Sequence, residues 1–361
     1  MARKDVRWPI LATALHAFLK SMGLAMAYRD SDIIEAVHDY MFGSENPDLI
    51  GYRTQSLERD LAYKRIFMWN MRRACALGRM KKAKVLDIGC GFGWQALAVS
   101  MIGDNQITAL DILPSMIDGV KDCVASLKAK NKYEFSITPK LGDICNLDLP
   151  DHSYDTIYSM EAIEHVHDVG LMFDNCGRLL KPGGRIVLLN DCNILNKHTK
   201  DELEVTFNKR ETSWDWANYL RSIRPIEHRD ARPFQIMRKE IVEAVNPNLA
   251  ADDVEGLVWC SAGMLKPEIE KLAKDYKPGD SLPPHRKADW CRNPETGEFA
   301  ERLFDPYELA EMLEERGMSA KVLHCFRRIP LRFLNNIQFR TVNDILFNIK
   351  PEFAIVALAP Q

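Results

Sequence analysis

Beyond its first thirty or so residues the sequence has no run long and apolar enough to cross a bilayer. It has no internal repeat, no low-complexity segment and no C-x-x-C pair among its nine cysteines. Nor does it carry an excess of charge: 48 basic residues against 51 acidic ones leave a formal net charge of −3. Each absence excludes something. An odd number of cysteines without close pairs argues against a disulfide scaffold and for a reduced, cytoplasmic protein. A near-balanced charge provides no global attraction for nucleic acid, which is therefore not an expected partner. What remains is a chain of 361 residues, 46% hydrophobic, enough for one large core or for one domain with a substantial insertion.

The most informative stretch runs from residue 84 to residue 94, Lys-Val-Leu-Asp-Ile-Gly-Cys-Gly-Phe-Gly-Trp. Residues 85 to 88 read as a short buried strand of a parallel sheet. Gly89, Gly91 and Gly93 then form a turn without Cβ atoms, which a ligand can approach closely. Helical character begins at Trp94. A strand, a glycine turn and a helix make the nucleotide-facing half of a βαβ unit. One more absence then separates two ligands: a dinucleotide fingerprint starting at Gly89 needs glycine at position 94, and tryptophan stands there.

The following residues continue the pattern. Residues 106 to 110 read as a second strand ending in Asp111, where a carboxylate can accept from both hydroxyls of a ribose. Pro114 opens a helix. Residues 135 to 141 read as a third strand followed by Gly142-Asp143-Ile144, and residues 154 to 160 as a fourth. Leu-Lys-Pro-Gly-Gly, residues 180 to 184, ends a helix and turns into a fifth strand over residues 185 to 190. An amphipathic helix over residues 305 to 316 and strand-like residues 320 to 326 and 352 to 358 complete the chain.

Asp87-x-Gly-x-Gly-x-Gly, Asp111, Gly142-Asp143, Met160-Glu161 and Leu-Lys-Pro-Gly-Gly occur in the order and at the spacing of class I S-adenosylmethionine (SAM)-dependent methyltransferases, and the chain resembles that superfamily, small-molecule type, over residues 80 to 192. The resemblance implies an α/β fold: a Rossmann-like doubly wound sheet with a closing antiparallel hairpin, N-terminal helices and a helical cap insertion. It implies four regions: an N-terminal helical segment (1–82), a SAM-binding core (83–192), a cap that selects the acceptor (193–303) and a C-terminal completion of the sheet (304–361). It implies that SAM is the cofactor. Asp87, Gly89, Cys90, Gly91 and Phe92 would line its methionine part, Asp111 its ribose, and Ile112, Asp143 and Ile144 its adenine. Met160 and Glu161 would flank the sulfonium.

Three features remain open at this level. Residues 8 to 28 follow Arg3, Lys4 and Arg7, and their apolar positions recur at helical spacing. The expectation is an amphipathic helix packed on the core or over the cofactor, with a helix on a membrane surface and a cleaved signal as alternatives. The insertion interleaves Trp214, Trp216, Tyr219, Trp259 and Trp290 with Arg221, Arg224, His228, Arg229, Arg232 and Arg238. That content suits a small acceptor that is partly apolar and anionic, and a solvated, self-packed cap is the plain alternative. Finally, Glu161, Glu164 and His165 stand at helical spacing, so a helical turn would place them on one face. They could hold a divalent metal, His165 could serve as general base, or the set could be structural. The function expected is O-methylation of a small molecule with His165 as candidate base. The alternatives are a lipid or isoprenoid acceptor reached by peripheral membrane contact, or a non-catalytic SAM-binding module.

Overall fold

The computed structural model describes residues 28–53, 64–284, 291–327, 329–337 and 340–361. The N-terminal amphipathic helix expected over residues 8 to 28 lies outside the described residues but for its last, as does Trp290. Two helices, α1 (Asp30–Met41) and α2 (Pro47–Tyr52), precede α3 (Lys64–Leu77), which leads into the sheet. The alternating series follows: β1 (Lys84–Ile88), α4 (Trp94–Gly103), β2 (Gln106–Asp111), α5 (Pro114–Ala129), β3 (Ser136–Leu141), β4 (Tyr154–Met160), α6 (Val169–Leu179) and β5 (Leu180–Asn190). The insertion contributes α7 (Lys197–Thr212), α8 (Trp214–Ile223), α9 (Phe234–Val245), α10 (Ala251–Cys260) and α11 (Lys266–Asp275). The chain closes with α12 (Pro306–Glu314), β6 (Ser319–His324), α13 (Arg340–Ile349) and β7 (Phe353–Leu358).

The sheet has seven strands in the order β3-β2-β1-β4-β5-β7-β6. The first five run parallel, and β7 pairs antiparallel with both β5 and β6. Parallel strands covered by helices on both faces must be apolar on both, and Val85, Leu86 and Ile88 in β1 are accordingly all buried. The order reverses between β1 and β4, so their C-terminal ends flank the crevice where open α/β sheets bind ligands. One boundary differs from the expectation. The fifth strand begins at Leu180 rather than at residue 185, because residues 180 to 184 stay extended, with Gly183 at φ +71° and a register shift opposite Tyr154 and Thr156. The Pro-Gly-Gly signal marks a bulge inside the strand, not a turn before it.

The insertion is a closed excursion from the sheet. Its ends meet where Ile194 N–H donates to the carbonyl of Phe304 at 2.9 Å and Phe304 N–H donates to that of Cys192 at 2.9 Å. It holds two small apolar cores of its own, one around Phe207, Phe234 and Met237, the other around Val242, Leu257 and Ile269. Arg238, 1% exposed, is neutralised there by Glu211 at 2.6 Å. The N-terminal helices are tied to the insertion by Asp48, whose carboxylate accepts from the backbone N–H of Ile226 and Glu227 at 2.8 and 2.9 Å. All nine cysteines are free and buried. Among the described residues no helix is long and apolar enough to cross a membrane. Phe333, Ile345 and Ile349 leave apolar side chains exposed.

Candidate active site

A cavity of about 710 Å³ lies over the crevice, with the strand ends as its floor and the insertion as its roof. The floor starts at the glycine turn. Gly89, Gly91 and Gly93 adopt φ values of +70°, +52° and +76°, which side-chain-bearing residues rarely reach. A Cβ on Gly89 would lie 2.4 Å from that of Ala162, whereas Gly91 faces open space. The turn is held by the carbonyl of Leu110, which accepts from the N–H groups of Gly89 and Cys90 at 2.9 and 3.0 Å.

Asp111, at the end of β2, ties this turn to the next loop. Its Oδ2 accepts from Gly91 N–H at 2.9 Å and its Oδ1 from Leu113 N–H at 3.0 Å. Each oxygen retains a lone pair, so the carboxylate can still accept from two hydroxyls. Burial raises the Asp111 pKa, and the backbone N–H groups of Leu113 and Gly91 work against that rise. Beside it Ile112 is 58% exposed and lines the cavity with an apolar surface. Asp143 and Ile144 line the cavity opposite, with Asp143 Oδ1 accepting from Cys145 N–H at 2.9 Å. An acceptor pair for a ribose, an uncovered apolar side chain and a backbone cradle without Cβ atoms fit an adenosine moiety with a short charged tail, as SAM has.

Asp87, Cys90, Phe92 and Met160 are placed differently. Each is buried, and none is among the residues lining the cavity. Asp87 instead accepts from the Tyr158 hydroxyl at 2.7 Å, and burial pushes its carboxyl up to about 7 despite that hydrogen bond. Its role is beneath the glycine turn.

Glu161, Glu164 and His165 do not share one face. The turn here is a 3-10 helix over Ile163–His165, so Glu161 precedes it, with its backbone at φ +50°. Glu161 Oε2 accepts from Asp191 N–H at 3.2 Å, while Glu164 turns inward and accepts from Asn190 Nδ2 at 2.6 Å. Among the described residues, the acidic, histidine and cysteine side chains whose donor atoms all fall within 4.8 Å of one another are Asp143, Cys145 and His167, not this triplet. The metal-binding arrangement expected from the spacing is therefore not formed, because the regular helical turn it needs is absent.

His165 itself is well placed for proton transfer. It lines the cavity, and its Nδ1 lies 3.1 Å from the carbonyl of Phe299. A carbonyl only accepts, so Nδ1 carries the hydrogen and Nε2 keeps its lone pair. Glu164 Oε1 lies 3.9 Å from that Nε2. Burial acts to lower the His165 pKa, but Glu164, Glu298, the Phe299 carbonyl and Glu301 outweigh it, and the pKa rises. The acids around it respond in kind. Burial holds Glu161 well above the usual carboxylate range, with Asp191 and Glu164 pushing the same way, and Glu301 is raised by burial too. The His165 side chain is 42% exposed although protein surrounds it closely, because the surface it shows is turned to the cavity.

The insertion and the N-terminal helices supply the other walls. Trp216, Arg224, His228 and Arg232 reach the cavity, as the aromatic and arginine content suggests, and Tyr52 joins them from α2. Arg224 lies over the Tyr52 ring at 4.3 Å and bonds Glu227 at 3.1 Å. Trp214, Tyr219 and Trp259 face solvent instead. Arg210, in α7, also lines the cavity and escaped notice in the sequence because its helix is polar almost throughout. A signal existed: Leu203 and Phe207 are the buried residues of α7, and Arg210 follows them at helical spacing.

The sheet order, the glycine turn and the cavity over the strand ends can be set beside known proteins. Residues 86–188 match the family described as "Methyltransferase domain". Phosphoethanolamine N-methyltransferase 3 of Arabidopsis thaliana is 29% identical over 109 residues, 30% of this chain and 21% of that protein. A ubiquinone biosynthesis O-methyltransferase of Nitrobacter winogradskyi is 35% identical over 113 residues, 31% of this chain and 40% of its own length. The chain thus spans less than half of these curated relatives. Among solved structures, a SAM-dependent methyltransferase from Aquifex aeolicus is 13% identical, with a TM-score of 0.38, over 80% of this chain and 87% of that one.

Proposed function

We propose that this protein transfers the methyl group of SAM to the oxygen of a small, partly apolar and anionic acceptor, with His165 as general base and residues 193–303 as the cap that selects it. The observation that carries this reading is the hydrogen bond between His165 Nδ1 and the Phe299 carbonyl, which leaves Nε2 free to take a proton inside the cavity. Gly89, Gly91, Asp111, Ile112, Asp143 and Ile144 would hold the cofactor. When bound, SAM supplies an activated methyl group on a positively charged sulfur. The chain's own contribution is to orient the acceptor for in-line approach, to exclude water beneath the insertion, and to accept the hydroxyl proton at Nε2. Glu164, hydrogen-bonded by Asn190 and 3.9 Å from the imidazole, stabilises the imidazolium that results. Glu161, also in the cavity, faces the reacting end of the cofactor in this reading.

The relatives carry acceptor atoms of different kinds in their names, so the oxygen acceptor rests on the base, not on them. Removing a general base typically costs about 10²- to 10⁴-fold in rate. His165→Ala should lower kcat by that amount while S-adenosylhomocysteine affinity, read by calorimetry, stays unchanged. Full activity in that variant removes the base from the mechanism.

A further inference from the structure

Proton transfer at His165 leaves one wall of the cavity without a task. That wall is made by α7, α8 and the loop after α8, and it presents Arg210, Trp216 and His228. Each of these holds a buried polar atom without a hydrogen-bond partner: Nε of Arg210, Nε1 of Trp216 and Nε2 of His228. Arg210 Nε and Trp216 Nε1 are donors, and buried donors are almost always satisfied, so this wall calls for an acceptor from outside the chain. Glu227 Oε1 lies 3.3 Å from His228 Nε2 but is not aligned to bond it.

The arginines of the insertion sharpen the contrast. Arg224 pairs with Glu227, Arg232 with Glu240 and Glu295, and Arg238 with Glu211. Arg210 has no such carboxylate among the described residues. Glu298 acts on it only through its field, from beyond hydrogen-bonding reach, and burial lowers its pKa. His228 registers the same surplus of positive potential: burial, then Arg210 and Arg224, push its pKa down to about 3.

We infer that Arg210, with Trp216 and His228, forms a subsite for an anionic group of the acceptor, a carboxylate or a phosphate. The guanidinium would supply charge and paired donors, and the indole N–H one directed hydrogen bond. Beside the anion, neutral His228 would carry its hydrogen on Nε2 and donate it. The subsite lies on the insertion, whereas the reacting centre lies on the strand ends, so an acceptor anchored here is held by the end that does not react. This inference rests on the methyl-transfer reading for naming the ligand as the acceptor.

The test uses the full chain saturated with S-adenosylhomocysteine and titrated calorimetrically with inorganic phosphate or with 4-hydroxybenzoate, against chloride at equal ionic strength. The wild type should bind one of the two anions, and which one identifies the group. Arg210→Gln should weaken that binding at least about tenfold, since a charge-assisted contact is lost, while S-adenosylhomocysteine affinity stays within about twofold. Neither anion binding the wild type, or Arg210→Gln binding as the wild type does, overturns the inference. If Arg210→Gln fails to fold, Trp216→Phe, which removes the indole N–H and keeps a smaller aromatic ring, takes its place: weaker anion binding supports the subsite and unchanged binding overturns it. A wild type that does not bind S-adenosylhomocysteine sinks the methyl-transfer reading instead, and the same anion titrations without it still decide the subsite.

Discussion

The two halves of the cavity are built on different plans. The floor comes from the ends of adjacent parallel strands, where backbone groups, three glycines and a carboxylate are fixed by the register of the sheet. Asp111 already makes two hydrogen bonds before any ligand arrives. The roof comes from helices that are far apart in sequence and meet over small separate cores. Arg224, Arg232 and Arg238 are matched by carboxylates, whereas Arg210, on the cavity wall, has none among the described residues, and there an outside group is called for. A floor completed by its own chain suits a constant ligand. A roof with unmet donors suits a variable one.

The sharpest way to break this comparison is at Asp111. Its side chain braces the glycine turn and, in the proposed reading, would offer acceptors to a ribose through its other lone pairs. Asp111→Ala should weaken S-adenosylhomocysteine binding by about 2–3 kcal/mol, or roughly 30- to 150-fold. Anion binding at Arg210 should be left near its wild-type value. Calorimetry with both ligands checks this, and an equal loss for both would mean that floor and roof fold as one unit.

The same division explains what could be read from the sequence. The floor was legible because its residues are contiguous with the strands that carry them, and the strand pattern is locally determined. Gly89, Gly91, Asp111, Ile112, Asp143 and Ile144 all line the cavity as the spacing suggests. Which side chains of a lining stretch turn to the cavity is a matter of direction, which spacing does not encode. Asp87, Cys90, Phe92 and Met160 sit among lining residues in the chain, yet their side chains point into the packed interior. Glu161 left the expected helical face because one residue at φ +50° reverses the backbone there. In the insertion, polar and aromatic residues announced a binding surface without saying which of them face it, since that depends on tertiary packing between distant helices.

A finer test concerns the reacting centre, where floor and roof meet. His165 takes its tautomer from the Phe299 carbonyl of the insertion and its raised pKa largely from Glu164 on the floor. A base works only when neutral, so kcat/KM should rise with pH through a pKa above the usual 6.5. Glu164→Gln removes the nearest negative charge that favours the imidazolium. The rising limb should then move to lower pH, with the plateau reached earlier. A limb that stays in place would assign it to another group, with Glu161 and Glu301 the first to examine.

The smallest effect separates the arginines of the roof from one another. Arg224 and Arg229 look equivalent in the sequence, five residues apart in the same aromatic-rich run. In the structure Arg224 lines the cavity and stacks on Tyr52 at 4.3 Å. Arg229 instead points outward, its side chain 81% exposed beside an equally exposed Asp230. An exposed ion pair of that kind contributes little to stability and less to a ligand it does not face. Arg229→Ala should therefore leave the acceptor KM within about twofold of the wild type, whereas Arg224→Ala, which also strands Glu227 in a buried position, should raise it by clearly more. Measured side by side under the same salt, equal effects in the two variants would show that the roof acts through its overall charge, and a difference confined to Arg224 that it acts through placed side chains.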